Sequence, residues 1–181
     1  EPPEFEGHWD PHVWGNPSLW SKCVETVVEG LSEADPAGKN YYINQGAKVE
    51  KAYKRVHNWG RKRIAELPKK QRILVTSHDA FNYFGKAFEF QVVAVQGLST
   101  VTEAGLADIA KMVDFIKEKN LKAIFVESSV NPAAIQRISK DANVKIGGEL
   151  FSDACGKPGD IHMNQAEEYD VGTFVGMVKH N

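Results

Sequence analysis

The chain carries 6 histidines and 24 Asp and Glu residues, and a few of these stand where the sequence places them for chemistry. His78-Asp79 directly follows the apolar run Ile73-Leu74-Val75-Thr76-Ser77. Glu127 closes the run from Ala123 to Val126 and is followed by Ser128 and Ser129; Glu149 and then Ser152-Asp153 follow the run from Val144 to Ile146. An imidazole with carboxylates is a mixed nitrogen and oxygen donor set. It suits zinc, manganese or iron(II), and it is poor for copper(I), which prefers sulfur. Asp160 and His162 lie in the same stretch and are weaker candidates. A second place is Asp10-Pro11-His12-Val13-Trp14. Pro11 locks its own φ and stiffens the approach to His12, and Trp14 supplies an apolar body to hold the segment down. On these residues alone, a surface-loop histidine accounts for His12 equally well.

Other residues have plainer readings. His57, between Val56 and Trp59, reads as a structural or surface histidine, and His180 as exposed. His8, close to His12, reads as a loose ligand at most. Asp79 fits a cap for a following helix, and Glu127 fits a buried, hydrogen-bonded strand end as well as a site residue. Phe81, Tyr83, Phe84, Phe88 and Phe90 read as core packing.

The elements that must position these groups follow from periodicity. Residues 1 to 16 are loop-like, punctuated by Pro2, Pro3, Gly7, Pro11 and Gly15. Asn16-Pro17 predicts a helix start, with Trp20, Cys23, Val24, Val27, Val28 and Leu31 on one face. Asp35-Pro36 opens a second helix that runs to about Leu67, where Pro68 stops it. Its apolar residues Val49, Tyr53, Val56, Ile64 and Leu67 recur at helical spacing. About 30 residues at a rise of about 1.5 Å make a rod on the order of 45 Å long. That rod is expected to point away from the rest of the chain. Strands are expected at 73–77, 90–95, 123–126 and 144–146, the last ended by Gly147-Gly148. Helices are expected after the first strand, from the capping box Thr100-x-x-Glu103, from Pro132, and from Glu167 or Tyr169. Alternation of apolar strands with helices implies an α/β fold with a four-stranded parallel sheet covered on both faces. In such sheets ligands sit beyond the carboxyl ends of the strands. That edge is where His78, Glu127, Glu149 and Asp153 fall.

Composition excludes several classes. With 181 residues, 42% hydrophobic and 25% charged, the chain can bury a core without covalent staples. Net charge is −2 with both signs interspersed, so nucleic acid is not an expected partner. The basic run from Lys48 to Arg63 reads as a solvated helix face. Two cysteines, Cys23 and Cys155, lie far apart and are expected to be unpaired thiols. No apolar run reaches the length of about 18 residues that a membrane span needs.

The motifs then become specific. Asp10-Pro-His-Val-Trp14, Thr76-Ser-His-Asp-Ala-Phe81 with Tyr83-Phe84, Gly97-Leu-Ser-Thr100 with Glu103, Gly147-Gly-Glu-Leu-Phe-Ser-Asp153, and Gly172-Thr-Phe-Val-Gly-Met177 with Lys179-His-Asn181 occur in this order. Together they closely resemble the zinc- and manganese-binding solute-binding proteins of ABC importers, the TroA/ZnuA type, from about residue 10 onward. The resemblance implies two α/β lobes joined by a long rigid helix, with metal held between them. It implies residues 1–35 as a remnant of the N-terminal lobe, 36–70 as the connecting helix and 71–181 as the C-terminal metal-binding lobe. By the same resemblance His12, His78 and Asp153 are the metal ligands. A fourth ligand, a histidine of the N-terminal lobe, has no counterpart here, so the chain is expected to be a fragment truncated at its N-terminus. Water, His8 or a neighbouring chain would complete the coordination. Histidine at 78, where some members have glutamate, makes the set nitrogen-rich and favours zinc, with manganese next and iron(II) acceptable.

The implied function is capture of Zn2+ or Mn2+ outside the cytoplasm and delivery to a membrane permease. The location would be the periplasm or the cell surface, with a lipid anchor compatible in the full-length protein. The truncated chain is a candidate homodimer through the apolar surface a missing lobe would leave. Two other readings compete. Three ligands plus an open position is also the catalytic zinc arrangement, with Glu127 or Glu149 as general base, although no H-E-x-x-H signature is present. An adhesin or interaction module is the third.

Overall fold

The computed structural model describes residues 9–97, 104–164 and 167–181. Seven helices are described: α1 (Pro17–Trp20), α2 (Cys23–Ala34), α3 (Lys39–Ala65), α4 (Asn82–Phe88), α5 (Leu106–Lys119), α6 (Ala133–Ala142) and α7 (Phe174–His180). Six strands accompany them: β1 (Ile73–Thr76), β2 (Gln91–Ala94), β3 (Ala123–Glu127), β4 (Lys145–Leu150), β5 (Ile161–Asn164) and β6 (Glu167–Asp170).

The helix start at Asn16-Pro17 is as the sequence predicts. Asn16 Oδ1 accepts the N–H groups of Ser18 and Leu19 at 3.1 and 3.3 Å, and Pro17 stands at the first helical position. The expected single helix is instead two. After Trp20 the backbone tightens to a Lys22 N to Leu19 O bond of 3.0 Å, and the Ser21 hydroxyl donates to Ser18 O at 2.9 Å. Such local serine bonds compete with the α-helical ladder. Asn16→Ala is expected to lower stability by about 1 kcal/mol, which is about 2–4 °C in Tm for a chain of this size. An unshifted melting curve would show that Pro17 alone sets this start.

The rod is α3, a helix of 27 residues, about 40 Å at a rise of about 1.5 Å per residue. It does not point away from the lobe. It packs on α1 and α2, and on α4 and α7. Val56 enters the core, and Trp59 and Ile64 pack against it. Gly60 makes the close crossing, since a Cβ there would stand 2.6 Å from the Phe88 ring.

The four expected strands are present and parallel, but as two ladders. β1 pairs with β2, β3 pairs with β4, and β1 lies beside β3. Among the described residues no ladder joins β1 to β3. Just past the end of β1, the Glu127 carboxylate takes the backbone N–H groups of Ser77 and His78. β4 does not end at Gly147-Gly148 but runs to Leu150. Register passes from Ile124↔Ile146 to Phe125↔Gly148, so Gly147 is an extra residue, and a Cβ on it would lie 2.8 Å from the Phe125 ring. Glycine lets the strand absorb that bulge and continue.

Side chains alternate across β1, with Leu74 in one core and Val75 in the other. One core joins Leu74 and Leu150 to Val56, Phe84, Phe88 and Met177. The other joins Val75 and Ile124 to Met112, Ile116, Ile135 and Ile138. Both faces of the sheet layer are therefore covered, which is why its strands read as apolar runs. Phe81, Phe84 and Phe88 are core residues as expected.

The helix expected from Glu167 or Tyr169 begins later, at Phe174. Residues 161–164 and 167–170 form an antiparallel hairpin instead, with His162 opposite Tyr169. The Asp170 carboxylate accepts the N–H groups of Gly159 and Gly172, and Thr173 Oγ1 accepts that of Gly176, so the turn is held before the helix starts. Thr100 and Glu103, the expected capping box, lie outside the described residues. The helix after them starts at Leu106.

Candidate metal centre

Three chain segments deliver one side chain each to the carboxyl edge of the strands. His78 lies two residues beyond β1, and Asp153 three residues beyond β4. His12 comes from the segment before α1, and the 3-10 turn Val13–Gly15 lays it against the same edge. His12, His78 and Asp153 each offer a ligand atom, and these atoms lie within 4.8 Å of one another. His12 Nε2 is 3.6 Å from Asp153 Oδ1, and His78 Nε2 is 3.5 Å from Asp153 Oδ2. Two donors at about 2.0–2.1 Å from a tetrahedral ion stand about 3.4 Å apart, close to the separations between each imidazole Nε2 and its nearer Asp153 oxygen.

Each imidazole is aimed by a carboxylate at its other nitrogen. His12 Nδ1 lies 2.8 Å from Asp10 Oδ1, which also accepts the His12 backbone N–H at 2.9 Å. His78 Nδ1 lies 2.6 Å from Glu127 Oε2, while Glu127 Oε1 accepts the N–H groups of Ser77 and His78 at 2.7 and 2.9 Å. A proton held on Nδ1 leaves the lone pair on Nε2, the tautomer a metal requires. The two rings stand nearly perpendicular, 5.5 Å apart. His78 Nε2 is buried and has no hydrogen-bond partner. A buried nitrogen without a partner is costly, and a cation at that point would offset the cost.

The electrostatics favour a cation as well. Asp10, Glu127 and Asp153 surround two imidazoles. Burial raises the Asp10 pKa, but the hydrogen bonds from His12 outweigh it and hold the group below the ordinary carboxylate range. Burial likewise disfavours a charged His78, yet the hydrogen bond and charge of Glu127, with Asp153 and Asp79, hold its pKa above the ordinary 6.5. The same negative field that draws a proton to His78 draws a divalent ion.

His78, His12 and Asp153 meet, while the other candidates do not join them. Glu127 is 2% exposed and acts on His78 from behind, with both its readings combined in one role. Glu149 is exposed on β4 outside the group. His162 pairs with Asp160 at 3.3 Å beside the hairpin. His180 is not exposed as expected: it is half-buried against Phe151 and hydrogen-bonded to Glu149 O at 2.9 Å. His57 packs on Phe88, and His8 lies outside the described residues. Cys23 and Cys155 are unpaired. Sequence reasoning missed Asp10 as the partner of His12. The signal was its position two residues before a histidine, with a rigid proline between.

The family model described as zinc-uptake complex component A, periplasmic, matches residues 1–181. The chain belongs to this family. Within it, the manganese-binding lipoprotein MntA of Bacillus subtilis is 39% identical over 99% of this chain and 58% of its own length. The zinc-binding protein TroA of Treponema pallidum is 36% identical over 97% of this chain and 56% of its own length. The solved structure of the periplasmic zinc-binding protein TroA superposes with a TM-score of 0.88, covering 97% of this chain and 62% of that one. The chain thus spans a little over half the length of the relatives it matches.

Proposed function

We propose that this chain is the metal-holding part of an extracytoplasmic solute-binding component of an ABC importer. Its cargo is a divalent transition-metal ion, Zn2+ first, then Mn2+, with Fe2+ acceptable. His12, His78 and Asp153 are the ligands, and Asp10 and Glu127 orient the imidazoles. The observation that carries this reading is the convergence of two buried, carboxylate-aimed Nε2 atoms on one half-exposed carboxylate. Its relatives support it, since the named activities of MntA and TroA are binding of manganese and zinc. The ligand set is nitrogen-rich and contains no thiolate, which favours zinc over softer ions.

The partner is a membrane permease that receives the ion, and the location is outside the cytoplasm. Among the described residues no helix is long and apolar enough to cross a membrane. In this reading residues 1–35 are the remnant of a further lobe, 36–70 the connecting helix and 71–181 the metal-binding lobe. A carrier needs no general base. Of the two hydrolase candidates, Glu127 is committed to His78 and to two backbone N–H groups, and Glu149 lies exposed on β4 outside the group. An apolar groove of about 330 Å³ between α2 and α3 is lined by Val24, Val28 and Tyr42.

Calorimetric titration of Zn2+ and of Mn2+ into the chain tests the reading. One site is expected, weakened by Asp153→Ala, and binding by neither ion would sink it. The pH dependence carries its own sign. Ligation needs a neutral imidazole, and the His78 pKa lies above 6.5. Affinity is expected to fall as pH drops through that raised value, with proton release on binding growing in step. The stability that the proton lends the metal-free protein runs the other way: present below 6.5, and lost as pH rises through the raised value. Affinity flat from neutral to mildly acid pH would contradict a His78 ligand.

A further inference from the structure

Of the three metal-facing groups, Asp153 alone is not locked. His12 and His78 have side chains 6% and 1% exposed, against 33% for Asp153. Each imidazole has its own carboxylate, whereas Asp153 sits in an irregular stretch just after β4. What holds that stretch comes from three distant parts of the chain. The Trp14 indole N–H donates to Ser152 O at 2.7 Å, across 138 positions of sequence. On the preceding residue, the Asn181 side chain closes two hydrogen bonds on the Phe151 backbone, accepting its N–H at 2.9 Å and donating to its carbonyl at 2.8 Å. Ser152 is itself buried, with its hydroxyl 2.7 Å from that of Ser129.

Trp14 is not a remote anchor. It is two residues from His12, and its ring stands edge-on to the His12 ring at 5.4 Å. The segment that supplies one ligand therefore grips the segment that supplies another. Asn181 fixes the same strand end from the far side. A ligand must be held to about 0.5 Å to be productive, and a free loop would have to be ordered at each binding event.

The geometry points to Trp14 and Asn181 as positioning residues that clamp the Phe151-Ser152 backbone and so hold Asp153 over the two imidazoles. This rests on the metal-carrier reading and adds to it how the half-exposed ligand is retained. The clamp sets how long the ion stays, since Asp153 is the group that must leave for the ion to escape. The imidazoles capture the ion in either case.

Zinc release into an excess of chelator, followed by stopped flow, tests this on the whole chain. Trp14→Phe keeps an aromatic ring and removes the donor; Asn181→Ala removes the second hold and leaves Trp14 in place. Each is expected to speed release about tenfold, the lower end of what lost ligand-orienting contacts cost, with the association rate unchanged. In an Asp153→Ala background neither is expected to speed release further, because the ligand they act through is gone. A purely structural role would speed release equally in both backgrounds, and that result overturns the inference. So does release at the wild-type rate in both single variants. If Trp14→Phe does not fold, Asn181→Ala decides by the same two readings. Absence of zinc binding by the unsubstituted chain would sink the carrier reading and this inference with it, whereas normal binding with unaltered release sinks this inference alone.

Discussion

His78→Ala is expected to weaken Zn2+ binding about a hundredfold or more in a calorimetric titration, while leaving the circular dichroism spectrum unchanged. Structural zinc sites bind with apparent free energies of about 10–16 kcal/mol. Spread over three or four ligands, that is roughly 2.5–5 kcal/mol per bond, and each step of about 1.4 kcal/mol is tenfold in affinity. His78 is the most deeply held of the three groups and offers a buried nitrogen with no hydrogen-bond partner. The fold should tolerate its loss, because Glu127 keeps the two backbone N–H groups of residues 77 and 78 through Oε1. Binding within a few-fold of the unsubstituted chain would remove His78 from the ligand set.

The second large effect needs no change of ligand at all. Glu127→Gln preserves shape and keeps an acceptor for the backbone N–H groups of Ser77 and His78. The atom facing His78 Nδ1 at 2.6 Å, however, changes from carboxylate oxygen to amide nitrogen. An amide N–H donates and cannot accept, so Nδ1 must become the acceptor and the imidazole proton moves to Nε2. That tautomer cannot ligate. Zinc affinity is expected to fall about 10- to 100-fold, the usual cost of disturbing a carboxylate behind a metal-bound histidine. The His78 pKa should fall as well, since the hydrogen bond and charge of Glu127 are what raise it against burial. Nitrogen chemical shifts of the ring report the tautomer directly. A Glu127→Gln protein that keeps the Nδ1–H form and binds zinc normally would refute this account. Glu127→Ala should do more harm, because it strands buried N–H groups at about 1–3 kcal/mol each.

Much of this was legible because apolar patterns and strand ends are local properties. The runs 73–77, 123–126 and 144–146 read as apolar strands, so the edge bearing His78 and Asp153 followed from topology. The hairpin 161–170 was not legible. Its Glu167-Glu168-Tyr169-Asp170 strand carries no apolar alternation, and its register is set by the Asp170 carboxylate holding Gly159 and Gly172. The extension of β4 through Gly147-Gly148 was misread because glycine pairs usually end strands. Here the Phe125 ring occupies the space a side chain would need. The rod was misdirected because its apolar stripe, read alone, does not say which neighbour covers it.

What the sequence by itself determined is the alternation of strands and helices through residue 150 and the placing of His78 and Asp153 at one edge, to which the family resemblance adds His12. Asp10-Pro-His12 and Ser152-Asp153 are short motifs whose chemistry is carried by residue type, and His78 sits at a strand end that periodicity locates. What only the tertiary structure decided is how those groups are aimed. Glu127 stands 49 positions from His78, and Trp14 stands 138 from Ser152, yet each pair is in hydrogen-bonding contact. No local pattern encodes such pairs. They exist because β1 and β3 lie side by side and because the His12 segment packs on the loop after β4. Tautomer, proton affinity and the hold on Asp153 are properties of those distant contacts, and packing alone brings them together.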